Sequence, residues 1–335
     1  LERLLTIIQD YIDGKDIADV ATEIPGELAK AILKYGSPNV EEVLLEYFNK
    51  VPRAKLPNLF QLLRGSAESR KQAFIEAIES IQKKEFSEAE KTLIFLKDSF
   101  LLSNLKTPNV SYISPQGPFE TLLMTSNRFI ISQKPMILRE PVSAYAFNLG
   151  VIQMAQGKFE EAKKYFHESV RFNPYASIVY LMLGEIAIME NDLQRVKSLV
   201  EKAMHMAYQK RDLGHSYYLL GKYYLAQKQK EPAVACLVVA RYYDAKLNVN
   251  EVFAKIESQL EGTIKIPNSE GLQAIFKKYN LQLGPSRDII ALIQESSQVA
   301  TEKGSKKAAL QILQIGYELT DSPYYLEKIN ALKDA

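Results

Sequence analysis

Apolar residues along this chain recur at the three- and four-residue spacing of a helix face. Leu1, Leu4, Leu5, Ile8, Tyr11 and Ile12 share one such face, and Gly14 ends the run. A second helix is predicted from Pro25, a residue favoured in a first turn, through Leu28, Ile32 and Leu33 to Gly36. Ser37 is placed as the cap of a third, with Pro38 in its first turn and Val40, Val43, Leu44, Tyr47 and Phe48 as its apolar stripe. Pro52 and Pro57 then separate an N-terminal helical region, residues 1–65, from the rest of the chain. Two short helices joined by a turn also fit a DNA-reading motif. A recognition helix needs Lys, Arg and amides aimed at bases and phosphates, whereas the third helix carries Glu41, Glu42 and Glu46. The region therefore reads as a small capping or docking bundle, and no nucleic-acid partner is expected.

From about Ser69 the pattern changes. Ala73, Ala77 and Ile81 line one helix, Lys84 and Glu85 make a turn, and Phe86, Ala89, Leu93 and Leu96 line the next. An irregular segment follows over 104–141. Its prolines, Pro108, Pro115, Pro118, Pro135 and Pro141, exclude one continuous helix, although 119–132 suits an isolated one. A break of this length is unusual in a compact array. Its apolar residues, among them Tyr112, Ile113, Phe119, Leu122, Leu123, Phe129, Ile130 and Ile131, predict that it packs on its neighbours.

The clearest pattern is a helical hairpin over 143–176. Leu149 and Gly150 sit mid-helix, Gly157 and Phe159 mark the turn, Ala162 and Phe166 lie on the returning helix, and Asn173 and Pro174 end it. The Leu-Gly pair recurs as Leu183 Gly184, thirty-four residues on, and as Leu220 Gly221 after thirty-seven. Such periodicity marks a repeat array. Tyr180 and Tyr217 stand at matching distance before the second and third pairs, where the first has Ala146. Small residues recur on the returning helices: Ala162 and Ser169, Val196 and Ala203, Ala233 and Ala240. Two antiparallel helices approach closely only where such residues let the backbones nearly touch. Extra residues around Gln209 to Asp212 predict a slightly lengthened hairpin between the second and third pairs.

Past Asn248 the pattern is less regular. Val252, Ile256 and Leu260 mark a helix ended by Gly262, and Leu272, Ile275, Phe276 and Tyr279 another ended near Gly284. A last hairpin places Ile289, Ile290, Ile293 and Val299 on one helix, Gly304 at the turn, and Ala308, Ala309, Ile312, Leu313 and Ile315 on the next. Pro323 then opens a short helix through Leu326 and Ile329 that caps the end.

Composition narrows the function without naming it. Hydrophobic residues make up 47% and charged residues 24%, ordinary for a folded chain, and the net charge of +2 offers no basic stripe for nucleic acid. The lone Cys236 sits among apolar neighbours, which points to a core position, and cannot form an internal disulfide, which points to a reducing, cytoplasmic setting or to a chain that needs no bridges. No stretch has the length of a membrane span, and the start carries acids where a signal peptide needs bases. The chain begins at Leu1 rather than Met, as a piece of a longer protein would. Chemistry is not signposted. No glycine-rich phosphate loop is present, and the three histidines, His167, His205 and His215, lack metal-ligand spacing. Glu160 and Glu161, near Lys163 and Lys164, read as a solvated helix start. No enzyme activity, catalytic residue, metal or cofactor is expected.

The hairpin residues resemble the tetratricopeptide repeat, well over 143–176 and less fully over 177–213 and 214–247. That resemblance implies an all-α, right-handed helical-hairpin solenoid over 66–335, behind the N-terminal bundle, with degenerate hairpins and a cap over 248–335. It implies that Leu149, Gly150, Ala162, Phe166, Pro174, Leu183, Gly184, Leu220 and Gly221 serve packing. In proteins similar to this one the first helix of each hairpin lines a concave face that binds ligand. Carried over, this gives Phe147, Val151 and Met154, then Leu181, Glu185 and Ile188, then His215, Tyr218, Lys222 and Leu225. The carboxylate clamp of chaperone-binding members is absent, because Phe147 and Val151 occupy its positions. Tyr217 and Tyr224 are expected inward and Tyr218 toward the groove. The expected function is a non-enzymatic scaffold docking a protein or peptide. Its alternatives are a self-associating structural subunit and the recruiting part of a longer enzyme or signalling protein.

Overall fold

Proline and glycine set most of the helix boundaries near the N-terminus. The computed structural model describes residues 1–102, 111–126, 129, 135–260 and 264–334. Helix α1 (Glu2–Ile12) is followed by a 3-10 turn at Ala18–Glu23, then α2 (Ile24–Tyr35), α3 (Ser37–Phe48) and α4 (Leu56–Arg64). Pro25, Pro38 and Pro57 each fall in a first turn, where a missing N–H costs nothing. Leu4, Ile8, Leu28, Leu44, Leu59 and Leu63 share one core. Pro57 thus starts a fourth helix of the bundle rather than marking its edge. Ser37 does not cap α3 either. Gly36 holds that position, and the Ser37 hydroxyl is drawn away to donate to the Asp98 carboxylate.

Ser66 does cap the next helix, α5 (Ala67–Gln82), by accepting from the Ser69 N–H at 3.1 Å. With α6 (Phe86–Leu102) it forms a hairpin whose Ala77, Ala89, Leu93 and Leu96 are buried as the periodicity required.

The proline-rich segment supplies two three-residue strands, which the helical pattern did not foresee. β1 (Ser111–Ile113) pairs in parallel with β2 (Pro135–Ile137), Tyr112 opposite Met136. The Leu138 N–H donates to Ile113 O and the Ser114 N–H to Phe172 O, both at 2.7 Å. Backbone groups denied a helix by proline find partners this way. Between the strands, α7 (Pro118–Thr125) stops at Ser126, whose backbone is extended, short of the predicted 119–132. Pro108, Ile130, Ile131 and Gly262 lie outside the described residues.

The repeats follow as α8 (Val142–Ala155) with α9 (Phe159–Phe172), α10 (Ser177–Met189) with α11 (Leu193–Met206), and α12 (Lys210–Ala226) with α13 (Lys230–Tyr243). The glycines sit where helices cross. A Cβ on Gly150 would lie 2.5 Å from the Phe166 ring, and one on Gly221 would lie 2.7 Å from Leu237. The extra residues lengthen α12 at its start. They bring Asp212 into the interior, where the Ser177 hydroxyl donates to it. The remaining elements are α14 (Val249–Gln259), α15 (Ser269–Lys278), α16 (Arg287–Glu302), α17 (Lys306–Thr320) and α18 (Pro323–Asp334). Val299 departs from its predicted place on the buried stripe of α16, being 46% exposed.

These elements form two compact units, Leu1–Ser114 with Gln133–Phe172, and Pro115–Ser132 with Asn173–Ala335. In the second, Tyr217 is fully buried and stacks on Tyr243, with ring centroids 5.8 Å apart. Its hydroxyl accepts from the Gly284 N–H at 2.7 Å and donates to Gln282 O at 2.9 Å, so the repeat tyrosine also fixes the loop before α16. Tyr224 is likewise buried, as expected, and so is Cys236, whose thiol pKa is raised by that burial.

Candidate protein-docking site

Helices α10 and α12 pack side by side in the second unit, and the residues that follow their repeat glycines face one another. Glu185 follows Gly184, and Lys222 follows Gly221. The Lys222 Nζ lies 2.5 Å from Glu185 Oε2, while His215 Nε2 lies 2.9 Å from Glu185 Oε1. Tyr218 completes the cluster, with its ring centroid 5.3 Å from the Lys222 Nζ and 6.3 Å from the centre of the His215 ring. Four of the ten predicted contact residues therefore form one connected group.

Burial alone would raise the Glu185 pKa. The His215 hydrogen bond and the Lys222 charge outweigh it and hold the carboxyl below its usual range. A folded-state pKa below the unfolded one means that the interaction stabilises above the unfolded value, near 4.3, and is lost as pH falls through the folded value. Glu185→Gln is expected to cost roughly 1.5–3 kcal/mol at pH 7, the scale of hydrogen bonds to a charged group. Urea midpoints of wild type and variant should then converge as pH is lowered toward 3. A gap that stays constant with pH would show that Glu185 is not ionised in the cluster.

The ion group changes the surface expected from sequence. Its acid and its base satisfy each other, so what remains for a partner is aromatic and apolar: Tyr218, Ile188 and Leu225, each half-buried. On α8 of the first unit, Phe147, Val151 and Met154 form an i, i+4, i+7 row, also half-buried, with the Phe147 ring 5.9 Å from that of Phe166. Leu181 must be corrected. It occupies the repeat position of Phe147 and Tyr218, three residues before the glycine, yet is completely buried and belongs to the core. The pairing itself had a signal in the sequence, since Glu185 and Lys222 are equivalent positions of adjacent repeats with opposite charge. His205 stands against the Phe129 ring, with centroids 5.0 Å apart, and its Nδ1 lies 3.9 Å from Asp288 Oδ2.

Among the described residues no group of three or more His, Cys, Asp and Glu is arranged to hold a metal ion, and no helix is long and apolar enough to cross a membrane. Hairpins of two antiparallel helices, stacked through small residues at fixed spacing, define a helical-repeat protein. Residues 143–176 and 214–238 each match a family model described as the tetratricopeptide repeat, so the chain carries repeats of that kind within its all-helical array. No curated protein matches it.

Proposed function

We propose that this chain is a non-enzymatic interaction scaffold that docks a protein or peptide on the first helices of its hairpins. The observation that carries this reading is the half-buried row on α12, His215, Tyr218, Lys222 and Leu225, beside Glu185 and Ile188 of α10. Most other apolar side chains of these helices are in the core, and the charges in the row are internally compensated. Such a surface offers a partner an amphipathic tyrosine over a neutralised base, with Ile188 and Leu225 to cover, which favours an apolar or aromatic segment over a terminal carboxylate. The row of Phe147, Val151 and Met154 on α8 has the same character and is assigned the same role.

Tyr218→Ala combined with Leu225→Ala should weaken partner binding about tenfold or more, since aromatic anchors dominate interfaces. Helicity should be unchanged, because both side chains are only half-buried. The measurement is quantitative pull-down from cell extract with wild type and variant side by side, followed by titration of the captured partner. Equal capture by both would remove the α10–α12 surface as the site. Sedimentation of the isolated chain tests self-association: assembly that rises with concentration and needs no other protein would favour a structural subunit instead.

A further inference from the structure

A groove of about 910 Å3 opens in the second unit between α7, α16 and α17, away from the residues assigned above. Its walls are apolar: Phe119 and Leu122 of α7, Val299 and Ala300 of α16, and Ile312 and Ile315 of α17. We propose that this groove is a second docking site, and that it takes an amphipathic helix of a partner protein whose apolar stripe ends in acidic residues.

Three observations select that occupant. The first is backbone chemistry. All three walls are helices, whose N–H and C=O groups bond internally, so the groove has no strand edge to pair an extended peptide. An extended chain would bring unsatisfied amides into an apolar trough, whereas a helix brings none. The second is length. The lining along α17 runs from Ser305 to Ile315, about 15 Å at 1.5 Å per residue, which matches about three turns of a partner helix.

The third is charge. Lys303 lines one end of the groove and has no ion pair among the described residues; Lys306, whose ammonium donates to Lys333 O at 3.5 Å, and Lys307 open α17 nearby without lining the groove. Over 302–307 three lysines face one glutamate, and the start of α17, with no side-chain cap from Ser305, adds its positive end. Glu295 lies about 12 Å back along α16, so the groove is basic at one end only.

The wall formed by α7 is fixed from within the fold. The buried Glu120 carboxylate accepts from the Gln116 N–H at 2.5 Å and from Asn173 Nδ2 at 2.6 Å, and the Phe119 ring packs on Tyr208 with centroids 4.8 Å apart. The groove is thereby preformed rather than dependent on closure around a ligand.

The test uses the full chain and two fluorescein-labelled, end-capped 18-residue peptides, followed by anisotropy. Both carry Leu at i, i+3, i+4 and i+7 spacing on an Ala/Gln frame, one ending its stripe with Glu and the other with Lys. The Glu peptide is expected to saturate and the Lys peptide to bind at least about tenfold more weakly, the scale of a like-charge clash at an interface. Lys303→Glu, which leaves two lysines against two glutamates over 302–307, should remove that preference, and Val299→Glu, on the exposed rim, should abolish binding of the Glu peptide. Circular dichroism melts confirm that each variant folds. Equal binding of the two peptides, binding that survives Val299→Glu, or no saturable binding by either overturns the proposal. So does concentration-dependent dimerisation of the wild type that Val299→Glu abolishes, which would make a second copy of this chain the occupant.

Discussion

Arg70→Met is expected to lower the unfolding free energy by about 3–5 kcal/mol, the cost of removing one partner from a buried ion pair. In the first unit Arg70 is 4% exposed, and its Nε donates to Glu140 Oε1 at 2.7 Å. One terminal nitrogen donates to Ser99 Oγ at 2.9 Å and to Arg64 O at 3.2 Å, and the other to Leu96 O. Tyr145 OH adds a second donor to the same Glu140 oxygen at 2.8 Å. Methionine replaces the stem but none of these donors, leaving a largely buried carboxylate without its charge partner and with only the Tyr145 hydroxyl on it. Urea titration of the full chain measures the loss, and Glu140→Gln in the same molecule should return part of it. A midpoint unchanged by Arg70→Met would show that water reaches Glu140 and that the network contributes nothing.

Gly150→Leu is expected to cost about 1–3 kcal/mol by overpacking. The added Cβ alone would lie 2.5 Å from Phe166 Cε1 and 2.6 Å from Cδ1, and Phe166 is completely buried, so its ring has no free space to enter. Helix propensity acts in the opposite sense, favouring Leu over Gly by somewhat under 1 kcal/mol, so a net loss isolates the crossing of α8 and α9 as its cause. Adding Phe166→Leu should recover part of the stability. A melting temperature equal to that of the wild type would remove close contact as the reason for the repeat glycine.

The two variants mark what could and could not be read along the chain. Gly150 was legible because it recurs: Gly184 and Gly221 stand at the same place in their hairpins, and a period is visible without knowing the fold. Arg70 was not. It lies in a polar stretch, Glu68 to Gln72, that resembles any solvated helix face, and its partner is seventy residues away. Lys97 repeats the lesson: burial opposes its charge, yet Asp98 beside it and Glu168 on α9 together hold its pKa above the ordinary lysine value. Gly316 is a close approach of the same kind as Gly150, with a Cβ there 2.5 Å from the Tyr325 ring, but it has no Leu before it and no period to announce it.

The candidate site divides in the same way. Position within the repeat placed Glu185, His215, Tyr218 and Lys222 on the first helices as candidate ligand contacts; that they also contact one another is a finding of the structure. The same rule assigned Leu181 to the surface, where the fold buries it, because equivalent sequence positions need not have equivalent neighbours in a degenerate array. It gave no indication of the groove at α16 and α17, since α7, which walls it, arrives from more than 160 residues earlier in the chain.

By itself, then, the sequence determined most of the local and periodic features: the majority of helix starts and stops, which hairpins repeat, and which of the recurring glycines lie at crossings. Backbone geometry, proline, glycine and a recurring apolar face act over a few residues or at a fixed period, so they can be read in order. Only the tertiary structure decided which charges neutralise one another, which half-apolar faces stay open, and that a proline-rich segment would pair two strands and wall a groove. Those outcomes depend on side chains from distant segments meeting in a low-dielectric interior, where one partner's presence sets the cost of burying the other.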